Sequence, residues 1–205
     1  ASVVIALVVS TIIFGGIHWI SKVSEKVVPF MAAAYIFATI TIIALHLDQL
    51  LPALKSVFSG AFTGTAAMGG FAGATVKMAI QKGVARGVFS NESGLGSAPI
   101  AAAAAKTNEP VEQGLISMTG TFIDTIIICS LTGLSLLVSG EWMAKGSTST
   151  LTQDTFTGVF GPVGGIILTL CLVLFATTTI LGWSYYGERC FEFLFGVKLI
   201  NLYRT

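Results

Sequence analysis

"GVARGVFSNESGLGSAPIAAAAAK", residues 83–106, decides what kind of fold this chain can have. Glycines 83, 87, 94 and 96 punctuate it, the polar knot "SNES" at 90–93 lies near its centre, and alanines 101–105 follow. A phosphate-cradling loop or a nucleophile elbow would each imply an α/β sheet. The first requires G-x-x-x-x-G-K-[ST] after a strand, and "SGLGSAP" has neither the lysine nor the strand. The second requires G-x-S-x-G, and no serine here has that setting. What remains is a turn at Gly94 and Gly96, then a helix opened by Ser97 and Pro99 and favoured by the alanine run. The stretch reads as a connector between apolar segments, either a passive one or a hinge.

The flanking sequence gives the setting. Of 205 residues, 54% are apolar and 10% charged, against about 25% charged in soluble domains. No Lys, Arg, Asp or Glu occurs in 1–21, 27–47 or 155–187. Runs of this length match the roughly 20 residues that cross hydrocarbon. The expectation is an all-α polytopic membrane protein with spans at about 1–20, 29–47, 57–81, 113–139 and 162–187, the second opening at Pro29. The first run lacks a basic leader and a cleavage site, and without an initiating Met the chain reads as a piece of a longer one.

Lys and Arg distribute unequally about these spans. Lys22, Lys26, Lys82, Arg86, Lys106, Arg189, Lys198 and Arg204 fall on one side, Lys55 and Lys145 on the other. The positive-inside rule puts residues 83–106 in the cytoplasm, where the sequon Asn91-Glu92-Ser93 would be idle. A net charge of +1 gives no reason to expect a nucleic-acid partner. Cys129, Cys171 and Cys190 lack metal-ligand spacing and read as packing residues. Neither H-E-x-x-H nor G-x-S-x-G occurs, so an embedded enzyme is not expected.

Two segments inside the spans are chemically unusual. "GGFAG" at 69–73 is a poor helix centre. It serves either close packing, through the G-x-x-x-G of Gly69 and Gly73, or unwinding beside a cavity. "FATTTILGW" places Thr177, Thr178 and Thr179 together, with Trp183 one turn beyond Thr179. Hydroxyls of this kind either bond their own i−4 carbonyls or offer hard oxygens to a cation. Asp124 and Lys77 are intramembrane charges, which default to function. They either pair with each other or Asp124 stands in a cation path. His18 and His46 read as wetted groups near span ends.

"GVFSNESGLGSAPI" within "GGFAGATVKMAIQKGVARGVFSNESGLGSAPIAAAAAKTNEPVEQGLISMTGTFIDTIIICSLTGL" resembles the alanine or glycine:cation symporter family of prokaryotes, as do "KVSEKVVPFM" and "TTTILGWSYYGERCFEFLFG". Position 93 departs, with Ser where the family usually has Ala. The resemblance implies a leucine-transporter-type five-plus-five inverted-repeat fold, with these spans as core helices four to eight. It implies an unwound substrate helix at Gly69, Gly70, Phe71 and Gly73, with Thr179 and Trp183 facing a small neutral amino acid. It implies a sodium site at Thr178, with Thr179 or Thr177 second. Sodium would be the coupling ion, with no other cofactor, in the plasma (inner) membrane of a prokaryote. Asn91 and Glu92 would belong to the cytoplasmic connector. The alternative is a proton-coupled amino acid transporter with Asp124 as relay.

Overall fold

Charge-free sequence builds the long helices. The computed structural model describes residues 2–62, 72–92, 94–145 and 150–204, with side chains described for 6–60, 80–92, 94–143 and 150–204. The order is α1 (Ser2–Phe14), α2 (Gly16–Leu45), α3 (Leu47–Phe62), α4 (Ala72–Ser90), α5 (Ser97–Ala102), α6 (Pro110–Thr121), a π-helical segment (Phe122–Cys129), α7 (Ser130–Ser139), α8 (Glu141–Lys145), α9 (Leu151–Phe160), α10 (Pro162–Phe195), a 3-10 turn (Val197–Leu199) and α11 (Ile200–Arg204). Among the described residues three helices are long and apolar enough to cross a bilayer: Gly16–Leu45, Pro110–Ser139 and Pro162–Phe195. At about 1.5 Å per residue each exceeds a hydrocarbon core of about 30 Å. Phe193 is 89% exposed, Phe37 74% and Val111 73%. Such surfaces suit lipid or neighbouring protein rather than water. The chain is an all-α integral membrane protein.

Helix boundaries depart from the sequence expectation in three places. The first break falls at Gly15 and Gly16, and α2 runs unbroken through 21–28. Pro29 therefore lies inside this helix rather than opening it. Gly16 has φ +67°, a backbone that side chains resist, and Arg204 Nη2 lies 3.0 Å from where a Cβ would stand. Lys22, Glu25 and Lys26 do not interrupt the helix, since long charged side chains reach water from a helical backbone. The second is α3, which begins at Leu47 and carries Pro52 inside it, where 48–56 is expected to link two spans; residues 63–71 of the expected span 57–81 lie outside the described part. The third is α5, which stops at Ala102 with three of the five alanines beyond it.

Two clusters pack α2 against α10. At one end Tyr35, Ala38 and Ile42 meet Ala53 of α3, Val138 of α7, Phe156 of α9, and Leu168 and Cys171 of α10. Tyr35 stacks on Phe156 with centroids 5.9 Å apart, meets Phe175 edge-on at 5.9 Å, and shares a hydrogen bond of 2.9 Å with Thr132. At the other end Ile20, Leu181 and Tyr185 meet Val9 of α1, with Ile100 of α5 and Tyr186 packed alongside. In lipid the apolar effect does not drive helices together, so close contact and hydrogen bonds must do so. The α9–α10 turn shows this: Gly161 and Pro162 reverse the chain, and Gly164 brings α10 against the Phe156 carbonyl.

The tail folds back on the second cluster. Arg204 donates through Nε and Nη2 to the two carboxylate oxygens of Glu188, at 2.7 and 2.8 Å. Arg189 donates to Glu188 Oε1 at 2.7 Å and pairs with Glu192 at 2.5 Å. The bond to the Glu188 carboxylate holds the Arg204 guanidinium above its ordinary pKa. Glu188 is only 3% exposed, and the four charges cancel, which is the condition for tolerating a buried carboxylate.

Candidate functional site

α10 carries the hydroxyl cluster at mid-length. Thr177 and Thr178 are partly buried, Thr179 is exposed, and Trp183 is 49% exposed on the Thr179 face. Each hydroxyl donates to its own helix. Thr177 bonds the Val173 carbonyl at 2.7 Å, Thr178 those of Leu174 and Phe175 at 3.1 and 3.0 Å, and Thr179 that of Phe175 at 2.8 Å. These bonds use protons and leave oxygen lone pairs unspent. A hydroxyl aimed by its own carbonyl is still an oxygen ligand, so back-bonding and cation binding are compatible. Trp183 meets Tyr186 edge-on at 5.8 Å, which fixes one side of its ring.

The second polar group lies mid-way along Pro110–Ser139, in the π-helical segment. Widening to i→i+5 bonding shifts the residues around the axis, a distortion frequent at functional sites. Asp124 accepts a hydrogen bond of 2.5 Å from the Ser90 hydroxyl. Next to it, Asn91 Nδ2 donates to Thr125 Oγ1 at 2.7 Å and to the Gly87 carbonyl at 2.9 Å. The polar knot of the opening stretch is thus fastened to the intramembrane carboxylate. A carboxylate has about four lone-pair sites, and among the described residues the Ser90 hydroxyl fills one of them. The remainder can accept a proton or a cation.

The structure brings Ser90, Asn91, Asp124 and Thr125 together, and Thr178, Thr179 and Trp183 together on α10. Gly69, Gly70 and Phe71 lie outside the described residues; Gly73 lies in the first turn of α4, and Lys77 within it with its side chain outside the described part. Among the described residues no group of three His, Cys, Asp or Glu side chains could hold a metal. Sequence reading missed Ser90 as the partner of Asp124, and also the Glu188 cluster. The second had a signal: Glu188 is the first charge after the long apolar run 155–187.

Comparison with known proteins settles what kind of chain presents these groups. The profile of the sodium:alanine symporter family matches residues 1–205. The chain belongs to this family. An uncharacterized transporter of Haemophilus influenzae is 51% identical over 205 residues, covering 99% of the chain and 45% of that protein. The sodium/alanine symporter AgcS of Methanococcus maripaludis is likewise 51% identical over 205 residues, covering 98% and 44%. The probable sodium/glutamine symporter GlnT of Bacillus subtilis is 39% identical over 203 residues, covering 98% and 42%. The chain spans less than half the length of these relatives. The family is one of transporters, not of enzymes.

Proposed function

We propose that this chain is part of a sodium-coupled symporter that brings small neutral amino acids, alanine or glycine, into a prokaryotic cell across its plasma membrane by alternating access. The observation that carries the reading is the cluster of Thr177, Thr178 and Thr179 at mid-length in α10, with Trp183 one turn on. Hard, uncharged oxygens suit sodium, and Thr178 takes that role, with Thr179 or Thr177 second. Thr179 and Trp183 face the amino acid, and Gly69, Gly70, Phe71 and Gly73 belong to the unwound substrate helix that the family resemblance implies. The five-plus-five inverted-repeat architecture, with these helices as the fourth to eighth of the core, explains why such groups lie at mid-depth. AgcS is named for sodium and alanine, which supports the pairing of ion and substrate.

The energetics fit one ion per zwitterion. A membrane potential of about 100 mV contributes roughly 2.3 kcal/mol per charge, and a tenfold gradient about 1.4 kcal/mol. Their sum supports accumulation of a few hundredfold at full coupling. A small pocket separates alanine from glycine weakly, since one methyl is worth about 1–3 kcal/mol.

The test is labelled alanine uptake into proteoliposomes holding the complete parent protein, with sodium compared against choline. Thr178→Val should raise the sodium concentration for half-maximal uptake about tenfold, the loss of one ligand, while Thr178→Ser stays near wild type. Sodium-dependent uptake unaffected by Thr178→Val would remove the site assignment and keep the function. Uptake indifferent to sodium but following pH would bring forward proton coupling through Asp124. The placement of that carboxylate mid-way along an apolar helix, beside the Ser90 hydroxyl, is what favours this second reading.

A further inference from the structure

We propose that the Ser90–Asp124 and Asn91–Thr125 bonds form a latch, which holds the connector from Glu92 to α5 against the α10 cluster under local strain and lets it swing outward when released. The latch side is the pair of side-chain bonds, 2.5 and 2.7 Å, between the end of α4 and the π-helical segment. The strained side begins at the next residue. Glu92 has φ +52° and is the sole non-glycine left-handed residue among those described. Gly94 and Gly96 follow at φ +79° and +82°, where glycine accepts the same region freely. A side chain in this region is disfavoured, and such outliers persist where their surroundings impose them.

A second cost lies at the far end of the segment. Ser97 is 4% exposed, and its hydroxyl finds no hydrogen-bond partner among the described residues. A hydroxyl removed from water without a partner is unfavourable, and outward movement would rehydrate it. At this end α5 is a six-residue helix, and its Ile100 packs against the cluster of Leu181 and Tyr185. The clasp thus opposes two unfavourable features of the same short segment. Both are relieved by one movement, which would open a path along the Tyr185–Tyr186 side of α10.

This inference rests on the transport reading only in taking the movement to be part of an alternating-access cycle. The test is built so that the two can fail separately. The complete parent protein is placed in nanodiscs with Cys129→Ser, Cys171→Ala and Cys190→Ser, and Ser97→Cys as reporter. Reaction with a polar maleimide is timed for Glu92→Asn and Glu92→Val, which remove the same charge. Asn tolerates the left-handed region and Val resists it, so the Val variant should label about tenfold faster. Ser90→Ala combined with Asn91→Ala should move labelling in the same direction as Val. Equal rates in all variants, or faster labelling in Asn than in Val, would overturn the latch. Hydrogen–deuterium exchange of the 90–102 peptide in Glu92→Asn and Glu92→Val, without the reporter cysteine, gives the same comparison if that cysteine prevents folding. Absence of alanine uptake by wild type would sink the transport reading and leave the labelling order to judge the latch.

Discussion

Gly164 has no room for a methyl group. An added Cβ would stand 2.1 Å from the Phe156 carbonyl oxygen and 2.9 Å from the Phe160 Cβ, so backbone would have to move. Gly164→Ala should lower stability in detergent by about 3 kcal/mol, the upper range for overpacking. Its neighbour Gly165 faces only the Thr157 hydroxyl at 3.1 Å, which can rotate away. Gly165→Ala should change stability by less than about 1 kcal/mol. Thermal unfolding of the two purified variants decides it, and equal losses would show that the hairpin does not depend on this approach. At this scale the sequence is half legible. The threonine cluster at 177–179 is visible in any reading, because hydroxyls stand out in an apolar run. The Ser90–Asp124 bond spans 34 residues, and neither helical nor strand periodicity reports a contact at such a separation.

Among the helices, α10 and its folded-back tail show how a charge is kept inside. Removing Arg204 leaves Glu188 with Arg189, which is already shared with Glu192. Arg204→Met should therefore cost about 3 kcal/mol, as uncompensated buried carboxylates do. Adding Glu188→Gln should restore part of the loss, because the burden is the unpaired charge rather than a missing contact. Unfolding temperatures of the single and double variants check both statements, and additive losses would refute them. Element boundaries were legible where composition changes abruptly, as at Pro162, whereas the span expected from about 113 starts as a helix at Pro110. They were misread at 21–28, where three charged side chains in eight residues suggested a loop. Charge marks a helix face that meets water as readily as a helix end. The alanine run misled for the opposite reason. Propensity alone does not sustain a short helix, and alanines 103–105 have little to bury.

Across the molecule, residues from distant parts of the sequence sort to two ends. Gly16, Ile100, Glu188 and Arg204 gather near one end of the α2–α10 pair, and His46, Ser139, Glu141 and Thr155 line a concavity at the other. The first end is rich in Lys and Arg, and the positive-inside rule predicts that it faces the cytoplasm. In whole cells carrying the complete protein, a cysteine replacing Lys55 should react with an impermeant maleimide. One replacing Lys82 should react only after the membrane is opened. The reverse pattern would invert the orientation. Class and helical content were legible at this scale because bilayer thickness dictates run length. The arrangement of helices was not, since lipid-facing and protein-facing surfaces are equally apolar. The Glu188 clasp has a consequence for biosynthesis. Arg204 follows Glu188 by sixteen residues, so on the ribosome the carboxylate leaves the exit tunnel ahead of its main counter-ion. Until Arg204 also emerges, α10 has to wait at the membrane surface or enter with Glu188 balanced by Arg189 alone, and the order in which these two arginines appear becomes part of how this helix is inserted.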